Sequence, residues 1–402
     1  MPEIRAMHAQ RILCQSLSGV LAPMHARRRR VLLQALQALI DGRRLSMTNL
    51  SRSWPGATFS HAPLKAVDRL LSNVHVQQSI LPLSRAMSAW LLRAPRPVLV
   101  VDWVDLRRDG GWCTLRAATP AAGRTVTVYE RIYPIVRINT PAAEREFLAM
   151  LAQVMPEGVR PIVVTDAGFR SGWFRAAAGY GWDYIGRVRN NVKIRDDANS
   201  NWRPCATLHA QARARPEDRG QHQIVQGEPM PSRLIRIRRE RKQRDQLTRS
   251  GQPQQGTVAR RARKAAREPW ILATSLPSDQ GKAAQAVAMY GKRMQIEESF
   301  RDLKSHLYGM GFEDCQTRNE RRLSVLLLLN MLAGFTAWLL GLALAQGAVK
   351  VDPMAARPSL LHSYSVFRRA LEWLRMSIWP PTLTDAVNAV LRRFIETASI
   401  AA

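Results

Sequence analysis

Apolar positions recur at helical spacing through the first ninety residues. VLLQALQALIDG, entered from the four arginines at 27–30, predicts an amphipathic helix that closes at Gly42. LSMTNLSRSW and HAPLKAVDRLLSN follow across a Pro55-Gly56 break. Two short helices around a tight turn fit a helix-turn-helix, with Lys65 and Arg69 offered to phosphates or bases, and fit a plain helical bundle equally. The period changes at Pro97. PVLVVDWVDL is a Val-rich apolar run that suits a buried strand, and WCTLRAAT and RTVTVYERIYP come after it at hairpin spacing. Thr140-Pro141 predicts a helix start, with Thr as the cap and Pro at the first helical position, continuing to Met155. PIVVTDAGF reads as another buried strand, followed by a short helix and the strand WDYIGRVR.

Three strands, helix, strand, helix, strand is a mixed α/β order with a ribonuclease-H-like layout. Regularity breaks over residues 190–268. Within 201–268 there are 17 Lys and Arg against 6 Asp and Glu, including the runs RLIRIRRERKQR and ARRARKAAR. Such a stretch is either a basic module inserted to wrap nucleic acid or a disordered basic loop. The strand WILATSL follows, then a helix from about Gly281 to His306, then further helices in SLLHSYSVFRRALEWLRMSI and TLTDAVNAVLRRFIETA. The expected organisation is a helical domain at 1–90 and a mixed α/β domain at 91–320 carrying the insertion 190–268. A helical C-terminal region at 321–402 completes it.

The segment 323–349 carries no charge and is long enough to cross a bilayer. It is solitary, contains Asn330 and Gln346, and adjoins a highly charged helix, so a central core helix is the expectation.

Charge narrows the partner. With 60 Lys and Arg against 31 Asp and Glu the chain carries +29, and its pI is near 11.4. A surface so positive draws a polyanion, because counterions released from nucleic acid drive association. Arginine-favouring codon usage is the bland source of the same charge. A hydrophobic content of 46%, without excess Gly or Pro, gives ample material for a folded core. Cys14, Cys113, Cys205 and Cys315 lie far apart, which argues against a zinc site or disulfide framework and fits a reducing compartment. The start, MPEIRAMHAQRILCQ, has no continuous apolar stretch or cleavage site, so no export is expected.

Acids placed where burial is costly are candidates for metal chemistry. Asp102 sits inside an apolar strand between Val101 and Trp103, and Asp166 ends the strand PIVVTD. Asp105 competes with Asp102, but strand alternation turns it to the opposite face, where a cap or turn role suits it. A third acid lies in YGKRMQIEESFRDLKS. At about 100° per residue a continuous helix would put Tyr290, Arg293, Glu297, Arg301 and Lys304 on one face about 80° wide. Ile296, Phe300 and Leu303 would form the apolar stripe beside it, and Glu298 and Asp302 would point away. Read alone, the same helix could be a solvated one with i,i+4 ion pairs.

Tyr290-x2-Arg293-x3-Glu297-x6-Lys304, with VVDWVDL and VTDAGFR before it in order, resembles the Y-R-E-K signature group of bacterial insertion-sequence DDE transposases. The likeness covers most of the chain and is weakest at both ends. It implies that Asp102, Asp166 and Glu297 bind two Mg²⁺, with Mn²⁺ a substitute, for in-line phosphoryl transfer on DNA. It implies nicking by water, a hairpin formed by the freed 3′-OH, and joining to target. Tyr290, Arg293, Arg301 and Lys304 would hold terminal phosphates, although Arg301 stands outside the signature itself. Trp270 would stack a flipped base and Met294 would insert behind it, where some relatives carry Trp. The basic insertion would be mainly β. The expected partners are double-stranded inverted-repeat ends and target DNA, within a homodimer in the bacterial cytoplasm at the nucleoid, with no membrane.

Two other readings remain open on the residues. One is a ribonuclease-H-like nuclease or resolvase without strand transfer. The other is a non-catalytic DNA-binding or membrane-tethered repressor.

Overall fold

The structure is a computed structural model of the 402-residue chain. It describes residues 8–106, 111–189, 192–197, 200–239, 252, 254–257, 259, 268–307, 309–347, 349 and 365–399. Most of ARRARKAAR, the second half of RLIRIRRERKQR and the start of SLLHSYSVFRR lie outside the described residues. The chain forms two compact units, Met1–Val159 with Met294–Ala402, and Arg160–Arg293. The division falls inside the stretch 91–320 read from the sequence as one catalytic domain.

Unit 1 begins with helices α1 (His8–Ser16), α2 (Ser18–Leu21), α3 (Ala26–Gly42), α4 (Met47–Arg52), α5 (His61–Leu71), α6 (Val74–Gln78) and α7 (Ile80–Leu91). Strands β1 (Val98–Asp105), β2 (Trp112–Ala121) and β3 (Arg124–Pro134) then form an antiparallel meander, followed by α8 (Pro141–Val154). As the sequence implies, the Thr140 hydroxyl accepts from Ala143 N at 3.4 Å and Pro141 opens the helix, where its missing N–H costs nothing. Helix α3 ends at Gly42 as expected. The left-handed residue is Arg43 (φ 50°), whose side chain is drawn into an ion pair with Glu372. The pair offsets a conformation that costs a non-glycine residue about 1–2 kcal/mol.

Unit 2 holds β4 (Ile162–Thr165), α9 (Ser171–Gly179), β5 (Asp183–Val188), β6 (Lys193–Arg195), β7 (Arg203–Pro204), β8 (Glu217–Ile224), β9 (Met230–Ile237), β10 (Trp270–Thr274) and α10 (Ala283–Gly291). Its strand order is β4-β5-β10-β9-β8-β6-β7, parallel at β4–β5 and antiparallel at every other pair. The described part of the basic stretch thus extends the sheet from β10 outward. Gly186 in β5 is required by packing: a Cβ there would sit 2.1 Å from Phe174 Cζ of α9.

Unit 1 resumes with α11 (Met294–Lys304), α12 (Glu320–Ala345), α13 (Val366–Arg375) and α14 (Pro381–Ser399). Helix α12 is the apolar segment. It is long and apolar enough to cross a membrane, with a mean hydropathy of 2.1 in its most apolar window, yet 78% of that window is buried. Its partners include α1, α3, α5, α6, α7, α13, α14 and β3. A helix apolar on every side needs cover on every side, and these neighbours supply it. Asn319 caps its start, and Arg322 bonds Asp68 of α5 at 2.8 Å.

The single helix expected from about Gly281 to His306 is two. Gly291 ends α10, and Lys292 and Arg293 bond back three residues, to Met289 O at 3.1 Å and Tyr290 O at 3.0 Å. Bonds of that type wind the chain at about 120° per residue instead of 100°. The wheel that put Tyr290 and Arg293 on one face with Glu297, Arg301 and Lys304 therefore does not carry through, and the two sets fall in different units.

Candidate DNA-processing site

In unit 1, α11 packs its Ile296 and Phe300 onto Val100 of β1 and Ala118 of β2, with Val104 beside them. Alternation along β1 puts Asp102 on the same face as Val100 and Val104, towards α11, and Asp105 on the other. Asp102 is half-buried and accepts from Trp103 N at 2.9 Å through Oδ1, while Asp105 is exposed at the strand end. Glu297 follows Ile296 in α11, next to the buried stripe of Ile296, Phe300 and Leu303, and is exposed. Asp102 and Glu297 thus stand on two elements whose side chains interlock.

Two residues that sequence reasoning passed over underlie this face. Arg116 of β2 lies opposite Asp102 in register and is 1% exposed. Its Nε and Nη2 donate to Glu130 Oε2 of β3 at 2.9 and 2.7 Å, and its guanidinium lies over the Phe300 ring, 4.8 Å from the centroid. Burial pushes the Glu130 carboxyl up, and Arg116 pulls it back. The available signal was a charge in the middle of WCTLRAATPA, directly across a hairpin from an acid.

Several other α11 residues are already engaged. Arg301 pairs with Glu298 at 2.8 Å, and Asp302, expected to point away, binds Arg124 at 2.5 Å. Ser299 Oγ accepts from Thr125 N at 2.8 Å, so α11 is tied to β3 by polar as well as apolar contacts. Lys304 is half-buried in the last turn, and Met294, half-buried, is the first helical residue.

Unit 2 holds the other candidates. Asp166 follows β4 and its Oδ1 accepts from Gly168 N at 2.7 Å. Tyr290 is 3% exposed and meets the Trp270 ring edge-on at 4.8 Å between centroids. Burial raises the Tyr290 phenol, opposed by Arg293, which hydrogen-bonds it, and by Arg187, while the Asp166 charge adds to the rise. Trp270, Tyr290, Arg293 and Asp166 thus belong to one neighbourhood. Arg239, absent from the sequence argument, lays its guanidinium 4.8 Å from the Trp270 centroid. Arg187 is held through Nη2 by the Glu268 and Pro269 carbonyls at 3.3 and 3.5 Å. Arg189 binds Glu268 Oε2 at 2.9 and 2.5 Å. Stacked cations and aromatics of this type bind strand backbones and bases.

No group of three or more His, Cys, Asp or Glu side chains is gathered to hold a metal among the described residues. The candidate donors are hard carboxylate oxygens. They fit Mg²⁺, which binds through one or two carboxylates plus water and substrate phosphate rather than in an all-protein cage.

Residues 94–334 match the family model of the transposase DDE domain. No curated protein matches the chain. Among solved structures, the cryo-EM structure of the piggyBac transposase synaptic complex with hairpin DNA aligns over 96% of this chain and 83% of that one. Its identity is 9% and its TM-score 0.41. With more than half of its length inside the family model, the chain belongs to the transposase DDE domain family.

Proposed function

We propose that this transposase acts by cut and paste on the inverted-repeat ends of its own insertion sequence, with Asp102, Asp166 and Glu297 as the catalytic carboxylates. The observation that carries the assignment is the shared face of β1 and α11. It sets Asp102, not Asp105, towards the helix that bears Glu297. Asp166, at the carboxyl end of a parallel strand, occupies the position where α/β folds commonly place reacting groups.

Two Mg²⁺ held by these carboxylates, or Mn²⁺ in their place, supply the Lewis acidity that activates a nucleophile and steadies the leaving oxygen. The chain's other residues position DNA. Arg293 and Tyr290, already hydrogen-bonded together, and Lys304 hold terminal phosphates, and Arg301 joins them by leaving Glu298. Trp270 stacks a base displaced from the duplex and Met294 inserts behind it. A base on Trp270 exchanges one cation–π partner for another ring, because Arg239 rests on it beforehand. Water nicks one strand at each end. The freed 3′-OH attacks the opposite strand to give a hairpin, which is reopened before the end joins target DNA.

In this reading 1–90 binds the ends, 91–320 carries the chemistry with 190–268 wrapping DNA, and 321–402 completes the core. Two copies bridge two ends in the cytoplasm at the bacterial nucleoid, without a membrane. The surroundings KRMQIEESFRDLKS and EPWILAT resemble the transposase of the composite tetracycline-resistance transposon. The test is a strand-transfer assay with pre-nicked duplexes carrying the inverted repeats that flank the gene. Joined product in Mg²⁺ is expected. Cleavage without joining would leave a nuclease or resolvase, and neither activity would remove the reading.

A further inference from the structure

A cavity of about 740 Å³ lies wholly within unit 2, with Asp166 in its wall. Its apolar lining includes Phe169, Phe174, Val188 and Ile224. Arg170, Arg187, Arg189 and Lys193 also line it, and Asp166 is the only acid among the lining residues. Glu268 is already bound by Arg189 and lies within 3.7 Å of Arg187. Counting Glu268 and Asp166 against four cations leaves a surplus of two positive charges. Arg170 and Lys193 supply that surplus, since neither has a carboxylate partner among the described residues.

The backbone points the same way. Arg170 is the N-cap of α9 and provides no side-chain acceptor; its carbonyl takes the Trp173 N–H at 2.9 Å, which leaves the Ser171 and Gly172 N–H groups for another acceptor. Across the cavity, Val225 in the β8–β9 turn adopts φ 64°, held there by its N–H to Lys193 O at 2.8 Å. A β-branched residue in that region is strained, and the hydrogen bond to β6 offsets the strain and secures the turn.

We propose that this cavity takes one unpaired nucleotide of the DNA strand that reaches Asp166. Its phosphate lies between Arg170 and Lys193, and its base or sugar lies against Phe169, Val188 and Ile224. The size decides between occupants: pockets of about 300–1,000 Å³ enclose one small-molecule-sized group, which excludes a base-paired turn. Trp270 and Tyr290 are not among the cavity's lining residues, although Asp166 and Arg187, which line it, also act on Tyr290. The proposal rests on the reading of Asp166 as a DNA-facing residue.

The test uses the full-length protein and two fluorescein-labelled probes, a blunt 20-bp duplex and the same duplex with a four-nucleotide 3′ overhang. Binding is followed by anisotropy in EDTA, so that it does not depend on catalysis. The double variant Arg170→Ala with Lys193→Ala is expected to lose at least about tenfold affinity for the overhang probe. Its salt slope should fall by about 0.7–1.4, one or two phosphates' worth in a single strand, with blunt-duplex binding unchanged. Ile224→Trp, which fills the cavity and keeps every charge, should reproduce the selective loss. Equal losses on both probes, or no loss from either variant, overturn the proposal. So does displacement of the overhang by millimolar dTMP as effective as by a short oligonucleotide, which would make the cavity a free-nucleotide site. If wild type binds the overhang selectively but neither nicks nor joins end DNA in Mg²⁺, the catalytic reading fails and this one stands.

Discussion

Asp102 and Arg116 face each other across the β1–β2 ladder, and Arg116 spends its hydrogen bonds on Glu130 while its guanidinium covers Phe300. One buried cation therefore touches the strand pair that bears one candidate acid and the helix that bears another. Removing it alone strands a carboxylate in the core. Arg116→Ala should cost about 3–5 kcal/mol, read as a lower denaturation midpoint. Arg116→Met with Glu130→Leu should recover most of that stability. If the double variant is folded and yet cleaves DNA poorly, the pair positions the acids as well as filling space. Full activity would confine it to packing.

Asp102→Asn, Asp166→Asn and Glu297→Gln are each expected to lower DNA nicking by at least about 1,000-fold, roughly 4 kcal/mol of transition-state stabilisation. End binding and melting temperature should change little. Asp105→Asn is the internal control and should remain within about threefold of wild type, because Asp105 points away from α11 and is exposed. Loss of activity from Asp105→Asn with Asp102→Asn retained would reverse the assignment.

The thiols of Cys113 and Cys205 are pushed up by burial to about 11. Both should be neutral in the folded chain at pH 9, where an unfolded thiol is already ionising. Their contribution to stability is complete below the unfolded value and is lost as pH rises towards 11. Melting temperature should therefore fall between pH 9 and 11, and less steeply in a Cys113→Ala, Cys205→Ala variant. Equal slopes would show that other groups, such as the Tyr184 phenol raised to about 12 by burial, govern the alkaline limit.

Gly186→Ala should destabilise the protein by about 1–3 kcal/mol, since the new methyl must displace the Phe174 ring from its stack on Tyr184. Adding Phe174→Leu makes room and should return part of the loss. Independent, additive effects of the two changes would show that the ring moves freely.

Much of this fold could be read from local chemistry. The Thr140 cap, the Val-rich strand holding Asp102 and the helix apolar on all sides each carry their cause in adjacent residues. The break at Lys292 and Arg293 could not be read, because the 3.6-residue period of Ile296, Phe300 and Leu303 gives no sign that the preceding turn tightens. Arg116 and Glu130 were missed for a related reason. Each is an ordinary strand charge until the β2–β3 register brings them together under Phe300. The boundary between the units escaped because Gly291 looks like any tolerated helical glycine.

The enclosure of α12 also bears on synthesis. Its covers come from both ends of the chain, α1, α3 and α5 before it and α13 and α14 after it. A ribosome that has just released α12 presents a 26-residue helix, uncharged from Leu323 onward, whose last two covering helices are still unmade. Gene copies truncated after residue 345 would yield sticky, short-lived polypeptides rather than folded competitors of the intact protein. Shortened copies of such an element would then be poor inhibitors of the intact one.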